Sequence, residues 1–256
     1  AHNKGEITLI GTNTFRLNSG GEVSGYGKSL TNNPNKPGKI VLPTSCPAGL
    51  SWGHDIGPTE ENRPFYIDHD FTGCPYCALS ESTNGNHTVP WPGCQLSRTI
   101  TVTTGHVMVV SGNKSASTLH QLTARGEKPS DTARHFTLEG GKLHLRNLRV
   151  TGKGNADKSD GGSIRCTGQS CRGSELILES CVFEGSCGET ACAASGGAII
   201  FDQGHQLTIV DSIFRSWKAG GNGGAIFLNS ANVVIASTTF ENNEVISATG
   251  RGGAVF

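Results

Sequence analysis

Gly196-Gly197-Ala198-Ile199-Ile200-Phe201 is the stretch on which the fold turns, because four times the chain writes the pattern that opens it: two glycines, a small residue and an aliphatic one. The other copies are Gly161-Gly162-Ser163-Ile164, Gly223-Gly224-Ala225-Ile226 and Gly252-Gly253-Ala254-Val255. Their second glycines are 35, 27 and 29 residues apart. Self-similarity at such a period marks a protein built from stacked repeats. Hairpin turns in an antiparallel sandwich would recur every ~8–12 residues instead.

A second element follows each glycine pair in phase. It reads Leu176-x-Leu178-x-x-Cys181-x-Phe183, then Leu207-x-Ile209-x-x-Ser212-x-Phe214, then Val233-x-Ile235-x-x-Thr238-x-Phe240. An earlier copy, Leu143-x-Leu145-x-x-Leu148-x-Val150, has no glycine pair before it. The first two positions alternate as a strand does, and the two-residue gap marks a bend before a further short strand. One unit is therefore three short strands, which is one coil of a parallel β-helix with coils stacked at ~4.8 Å. Leu176, Leu178, Phe183, Leu207, Ile209, Phe214, Val233, Ile235 and Phe240 form the core ladder. Gly161, Gly162, Gly196, Gly197, Gly223, Gly224, Gly252 and Gly253 form the coil corners, where a side chain would clash or φ must be positive.

The repeat resembles the GGA(I/L/V) and FxxN repeats of the chlamydial polymorphic membrane proteins and of β-helical adhesin-like surface proteins of bacteria and algae. The GGA part matches at Gly196-Gly197-Ala198, Gly223-Gly224-Ala225 and Gly252-Gly253-Ala254; the FxxN part matches at Phe240-Glu241-Asn242-Asn243, whereas Ser186 and Trp217 stand in the fourth position after Phe183 and Phe214. The resemblance covers about residues 135–256. It implies an all-β fold, a right-handed parallel β-helix (a pectate-lyase-like solenoid), on a cell surface and used for adhesion.

Composition agrees with strands and turns: Gly is 36 of 256 residues, about twice the usual ~7%. The 21 basic and 21 acidic residues cancel, so no net field favours nucleic acid or an anionic membrane. No stretch approaches the ~18 apolar residues of a spanning helix, so no membrane insertion is expected. Three regions are expected: 1–23, a strand segment completing a coil of its own or a neighbouring chain; 24–98, a Cys/Pro-rich, cysteine-stapled excursion holding nearly all the prolines; and 99–256, the coils. Residues 99–102, 106–110 and 135–138 read as early, less regular coils.

Nine cysteines suggest an oxidising compartment, extracellular or at a cell surface. Cys166 with Cys171 and Cys187 with Cys192 are local pairs, while Cys46, Cys74, Cys77 and Cys94 suit two more bridges. Zinc is the competing reading for Cys74-x-x-Cys77, although no second pair falls at matching spacing. Cys181, at an inward position, is left as a buried thiol. Asn86-His87-Thr88 and Asn113-Lys114-Ser115 are N-glycosylation sequons.

The first segment, Ile7-Thr8-Leu9-Ile10-Gly11-Thr12-Asn13-Thr14-Phe15, repeats the Leu207–Phe214 element with one residue added, and Gly20-Gly21 follows it. That element is also what should come after Val255-Phe256. Two readings stay open: Ile7, Leu9, Phe15, Val255 and Phe256 join copies head to tail into a fibre, or the chain is a window of a longer solenoid. A heterologous contact that does not close into a ring gives a filament.

The rival classes are a surface adhesin or carbohydrate-binding β-helix and a polysaccharide lyase or hydrolase. Asp202-Gln203-Gly204-His205 is the nearest approach to a hydrolase segment. The carboxylates Glu179, Glu184, Asp202, Asp211 and Glu241 fall at scattered phases rather than as a pair facing one cleft. His54-Asp55 and Asp68-His69-Asp70 read as solvated loop charges. Trp52, Trp91, Trp217 and Phe71 are the aromatics that would meet sugar, with Trp217 either exposed or at a core edge. The expected protein is non-enzymatic and structural, needs no cofactor, has itself as partner, and carries or binds glycans.

Overall fold

The computed structural model describes residues 79, 84–90, 93–96, 98–113, 119–124, 134–152, 160–187, 191–229 and 231–256, with Cys77 and, as backbone alone, 6–8, 39–41, 50–51 and 76. Two units form, Ala1–Ala78 and Leu79–Phe256. In the first, β1 (Glu6–Thr8) pairs in parallel with β2 (Lys39–Val41), Ile7 opposite Ile40, and β3 (Leu50–Ser51) pairs antiparallel with β4 (Tyr76–Cys77).

The second unit runs β5 (Gly85–Thr88), β6 (Gly93–Gln95), β7 (Ile100–Thr103), β8 (Val107–Ser111), β9 (His120–Thr123), β10 (Phe136–Glu139), β11 (Lys142–Arg146) and β12 (Leu148–Gly152). It continues with β13 (Ile164–Cys166), a 3-10 turn (Gln169–Cys171), β14 (Glu175–Glu179), β15 (Val182–Gly185), β16 (Ile199–Asp202), β17 (Gln206–Val210) and β18 (Ile213–Arg215). Last come β19 (Lys218–Ala219), β20 (Ile226–Asn229), β21 (Asn232–Ala236), β22 (Thr239–Glu241) and β23 (Glu244–Val245).

The unit is all-β, its strands stacked in parallel sheets. The first sheet has the order β7-β10-β13-β16-β20 and the second β5-β8-β11-β14-β17-β21. In the third, β6, β9, β12, β15, β18 and β22 follow one another, and β19 pairs with β23. From β7 onward each repeat lays one strand in each sheet in turn. β5 and β6 come from the stretch read as an excursion, yet they pair in parallel with β8 and β9.

Equal side chains stack on equal side chains because register is kept from repeat to repeat. Leu143, Leu176 and Leu207 form one column of the second sheet and Leu145, Leu178 and Ile209 another, all buried. The third sheet stacks Phe183 on Phe214 (ring centroids 4.8 Å, planes 8° apart) and Phe214 on Phe240 (5.4 Å, 14°). Each fully buried ring or branched chain stabilises the fold by roughly 1.5–3 kcal/mol through lost apolar surface.

The glycine pairs precede the strands of the first sheet rather than lying in them, and their two members do different work. The first is left-handed, with φ of 69°, 61°, 65° and 67° at Gly161, Gly196, Gly223 and Gly252. The second is a close approach at Gly197 and Gly224, where a Cβ would overlap the carbonyl oxygens of Gly224 and Gly253 in the next repeat. Asn147, Ser180, Asp211 and Ser237 take the left-handed bend between the second and third sheets, with φ from 48° to 54°.

The repeat without a glycine pair is completed differently. Phe136 is in register with Ile164, so His135 fills the small-residue position of Ser163. The His135 ring is buried; its Nε2 donates to the Thr151 carbonyl (3.0 Å) and its Nδ1 accepts from the Ser163 hydroxyl (2.9 Å).

Cys166–Cys171 and Cys187–Cys192 are disulfides, each with Cα atoms 5.0 Å apart. Cys77 and Cys94 are disulfide-bonded as well, and Cys181 is a buried free thiol. Cys46 and Cys74 lie outside the described residues. Such bonding belongs to oxidising environments. Among the described residues no helix is long and apolar enough to cross a membrane.

Candidate functional site: the edge of the stacked sheets

β20, β21 and β22 each stand last in their sheet. The columns that are buried inside surface here. Leu207 and Ile209 are 0% exposed, but their neighbours Val233 and Ile235 are each 37% exposed. Val234, Ile246 and Phe256 are exposed beside them. Apart from Val107, these are the exposed large hydrophobics among the described residues. An apolar row along the outer edge of β21 is a template for another strand.

Val255 and Phe256 lie over the first sheet's edge. Val255 bridges Ile226, the Phe256 amide donates to the Ile226 carbonyl (3.0 Å), and the Phe256 ring stacks on Phe227 at 5.6 Å. Of the other residues expected to join copies, Ile7 is in β1 of the first unit, while Leu9 and Phe15 lie outside the described residues.

Charge is also laid out by repeat. Arg215 stands between Glu184 and Glu241 in register. Glu184 accepts from Arg149 Nε (2.8 Å) and lies 3.1 Å from Arg215 Nη2. Burial alone would raise the Glu184 carboxyl, but hydrogen bonds from Arg149 and Arg215 outweigh it and hold the group below the ordinary carboxylate range. Arg215 thus leans inward to Glu184, leaving Glu241, across the strand pair, exposed at the edge.

Asn243, the fourth residue of the FxxN match, ties the edge repeat to its neighbour. Its Oδ1 accepts the Trp217 amide (3.1 Å) and its Nδ2 donates to the Phe214 carbonyl (2.9 Å). Trp217, left open as exposed or core edge, is fully buried.

The remaining candidates scatter. Asp202 accepts from Asn229 (2.8 Å), and Glu179 accepts from His144 (2.9 Å). Asp211 is an exposed bend residue. Among the described residues no three His, Cys, Asp or Glu side chains come together as a metal site. His54, Asp55, Asp68, His69, Asp70, Trp52, Trp91 and Phe71 lie outside the described residues. Asn86 and Asn113 are both exposed. A polar cleft of about 520 Å³, which the sequence reading missed, opens at the bend between the second and third sheets and is lined by Thr88, Ser111, Asn113, Arg146, Asn147 and Glu179 among others. Its residues come from four successive repeats, so no local motif could have marked it.

No protein-family model matches this sequence, and no match was found among the curated proteins or the solved structures.

Proposed function

We propose that the chain is a non-enzymatic, extracellular or cell-surface structural protein, a right-handed parallel β-helix of the pectate-lyase-like kind whose copies stack head to tail into a fibril. One observation carries the reading: side chains stack column on column through parallel sheets, repeat after repeat, an arrangement that a second copy of the chain can continue. An N-terminal segment patterned like the repeat's second element supports it, and disulfides favour the extracellular setting. N-linked glycans at exposed Asn86 and Asn113 belong to the same proposal. Negative-stain microscopy and sedimentation of the purified chain test it. Filaments that become monomers or short oligomers when residues 1–17 are deleted support it; a deletion variant that polymerises as readily as the intact chain rules out the role given to that segment.

The polar cleft favours a second reading, a glycan-binding adhesin surface. Hydroxyl, amide and charged groups around an open cleft suit sugar hydroxyls. A glycan-binding assay comparing the intact chain with Arg146→Ala decides it.

A further inference from the structure

We infer that the polar cleft at the bend between the second and third sheets binds an acidic saccharide, a sugar chain bearing carboxylate or sulfate groups, with the Arg146 guanidinium as its anion contact. The inference rests on the glycan-binding reading above and adds the charge of the ligand.

Arg146 supplies the first argument. Opposite charges set in register on neighbouring repeats pair elsewhere: Lys142 with Glu175 (2.8 Å), Arg215 with Glu184 (3.1 Å) and Lys218 with Glu244 (3.3 Å). Arg146 is in register with Glu179, yet Glu179 turns diagonally and accepts from His144 Nε2 at 2.9 Å. Arg146 is exposed, lines the cleft and makes no ion pair among the described residues. Its guanidinium keeps parallel N–H donors free for the oxygens of a carboxylate or a similar oxyanion.

The bend column is the second. Gly112 follows Ser111, whose register partner is Arg146, so it takes the place that Asn147 and Ser180 fill in the next two repeats. A Cβ there would overlap the Asn147 carbonyl oxygen. The column therefore carries no side chain at this repeat, and Gly112 lines the cleft beside Arg146.

Length and lining are the third. Thr88, Ser111, Arg146 and Glu179 stand in one continuous register across four strands, β5, β8, β11 and β14. The cleft thus follows the stack for roughly 14 Å, three steps of ~4.8 Å, which suits a chain better than a lone ion. The Thr88, Ser111 and Ser180 hydroxyls and the Asn113 amide line it with Arg146. These groups both donate and accept, as sugar hydroxyls require.

Asn113 opens the sequon Asn113-Lys114-Ser115, and a glycan attached there would compete for the cleft. The test therefore uses the full chain with Ser115→Ala, which removes the sequon and leaves Asn113 in place. Fluorescence anisotropy reads three labelled probes: an oligogalacturonate, a dextran sulfate oligomer and a neutral dextran. At least one acidic probe should bind and neutral dextran should not; which acidic probe binds separates a uronate from a sulfate ester. Arg146→Gln should weaken that binding by about tenfold. Arg172→Gln, at an exposed arginine outside the cleft, should leave it unchanged. Glu179→Gln, which removes a negative charge from the cleft wall, should strengthen it, a change that a misfolded variant cannot give. If Arg172→Gln weakens binding as much as Arg146→Gln, general charge holds the probe and the proposal is overturned. If neutral dextran binds as tightly as the acidic probes and Arg146→Gln weakens both alike, glycan binding stands and the acidic ligand falls. If no probe binds, both fall.

Discussion

The Asn243 side chain spans two repeats, accepting the Trp217 amide at 3.1 Å while its own amide donates to the Phe214 carbonyl at 2.9 Å. Trp217 lies just past the end of β18, and Phe214 lies within it. Asn243→Ala removes both bonds and leaves a partly buried donor and acceptor. The expected loss is about 1–3 kcal/mol, read as a lower midpoint in urea.

His135 makes stability depend on pH. Burial lowers its pKa from 6.5 to about 4. The folded state favours the neutral ring, so this contribution is fully present above pH 6.5. It is lost as pH falls from 6.5 toward 4, because the unfolded chain then binds the proton first. The full effect is on the order of 3 kcal/mol. Burial lowers the pKa of His87 too, so His87 acts in the same direction. Urea unfolding from pH 7 to pH 4 should show the decline, and His135→Gln should flatten most of it.

Two second-position glycines of the repeat, Gly197 and Gly253, should separate cleanly. Gly197→Ala drives a methyl group into the Gly224 carbonyl and against Trp217, so the inner stack must open. A loss of about 2 kcal/mol or more is expected in thermal unfolding. Gly253→Ala has room and should leave the unassembled chain as stable as before.

Cys181 should be inert in the folded protein. Burial pushes its thiol up to about 12, and it is closed off from solvent. Only the thiolate reacts with iodoacetamide. Mass spectrometry should find Cys181 unlabelled in native protein and labelled after unfolding; rapid labelling in the native state would contradict its burial.

Local alternation and repeat phase were enough to place the second and third strands of the repeats from Leu143 to Phe240, since a residue's inward or outward direction follows from its position in a strand. The pairs Cys166–Cys171 and Cys187–Cys192 were likewise readable, because only five residues separate the partners. The strands of the first sheet were less sharply legible. Their glycines look like part of the strand but form the corner that leads into it. β5 and β6 carry too few core residues to announce themselves beside a Pro-rich stretch.

Ser163 shows where sequence reading stops. In the chain it is one small residue among Ala198, Ala225 and Ala254; folded, it is the hydroxyl that satisfies His135 from the neighbouring repeat. Glu184 and Trp217 follow the same pattern, one clasped by two arginines from adjacent repeats and the other sealed into the core. Periodicity within about 30 residues is a one-dimensional property and specifies the repeat, its strands and its ladders. Which members of a column are buried, paired or left at an edge depends on what stacks above and below, and that is set only when residues some 30 positions apart meet at ~4.8 Å.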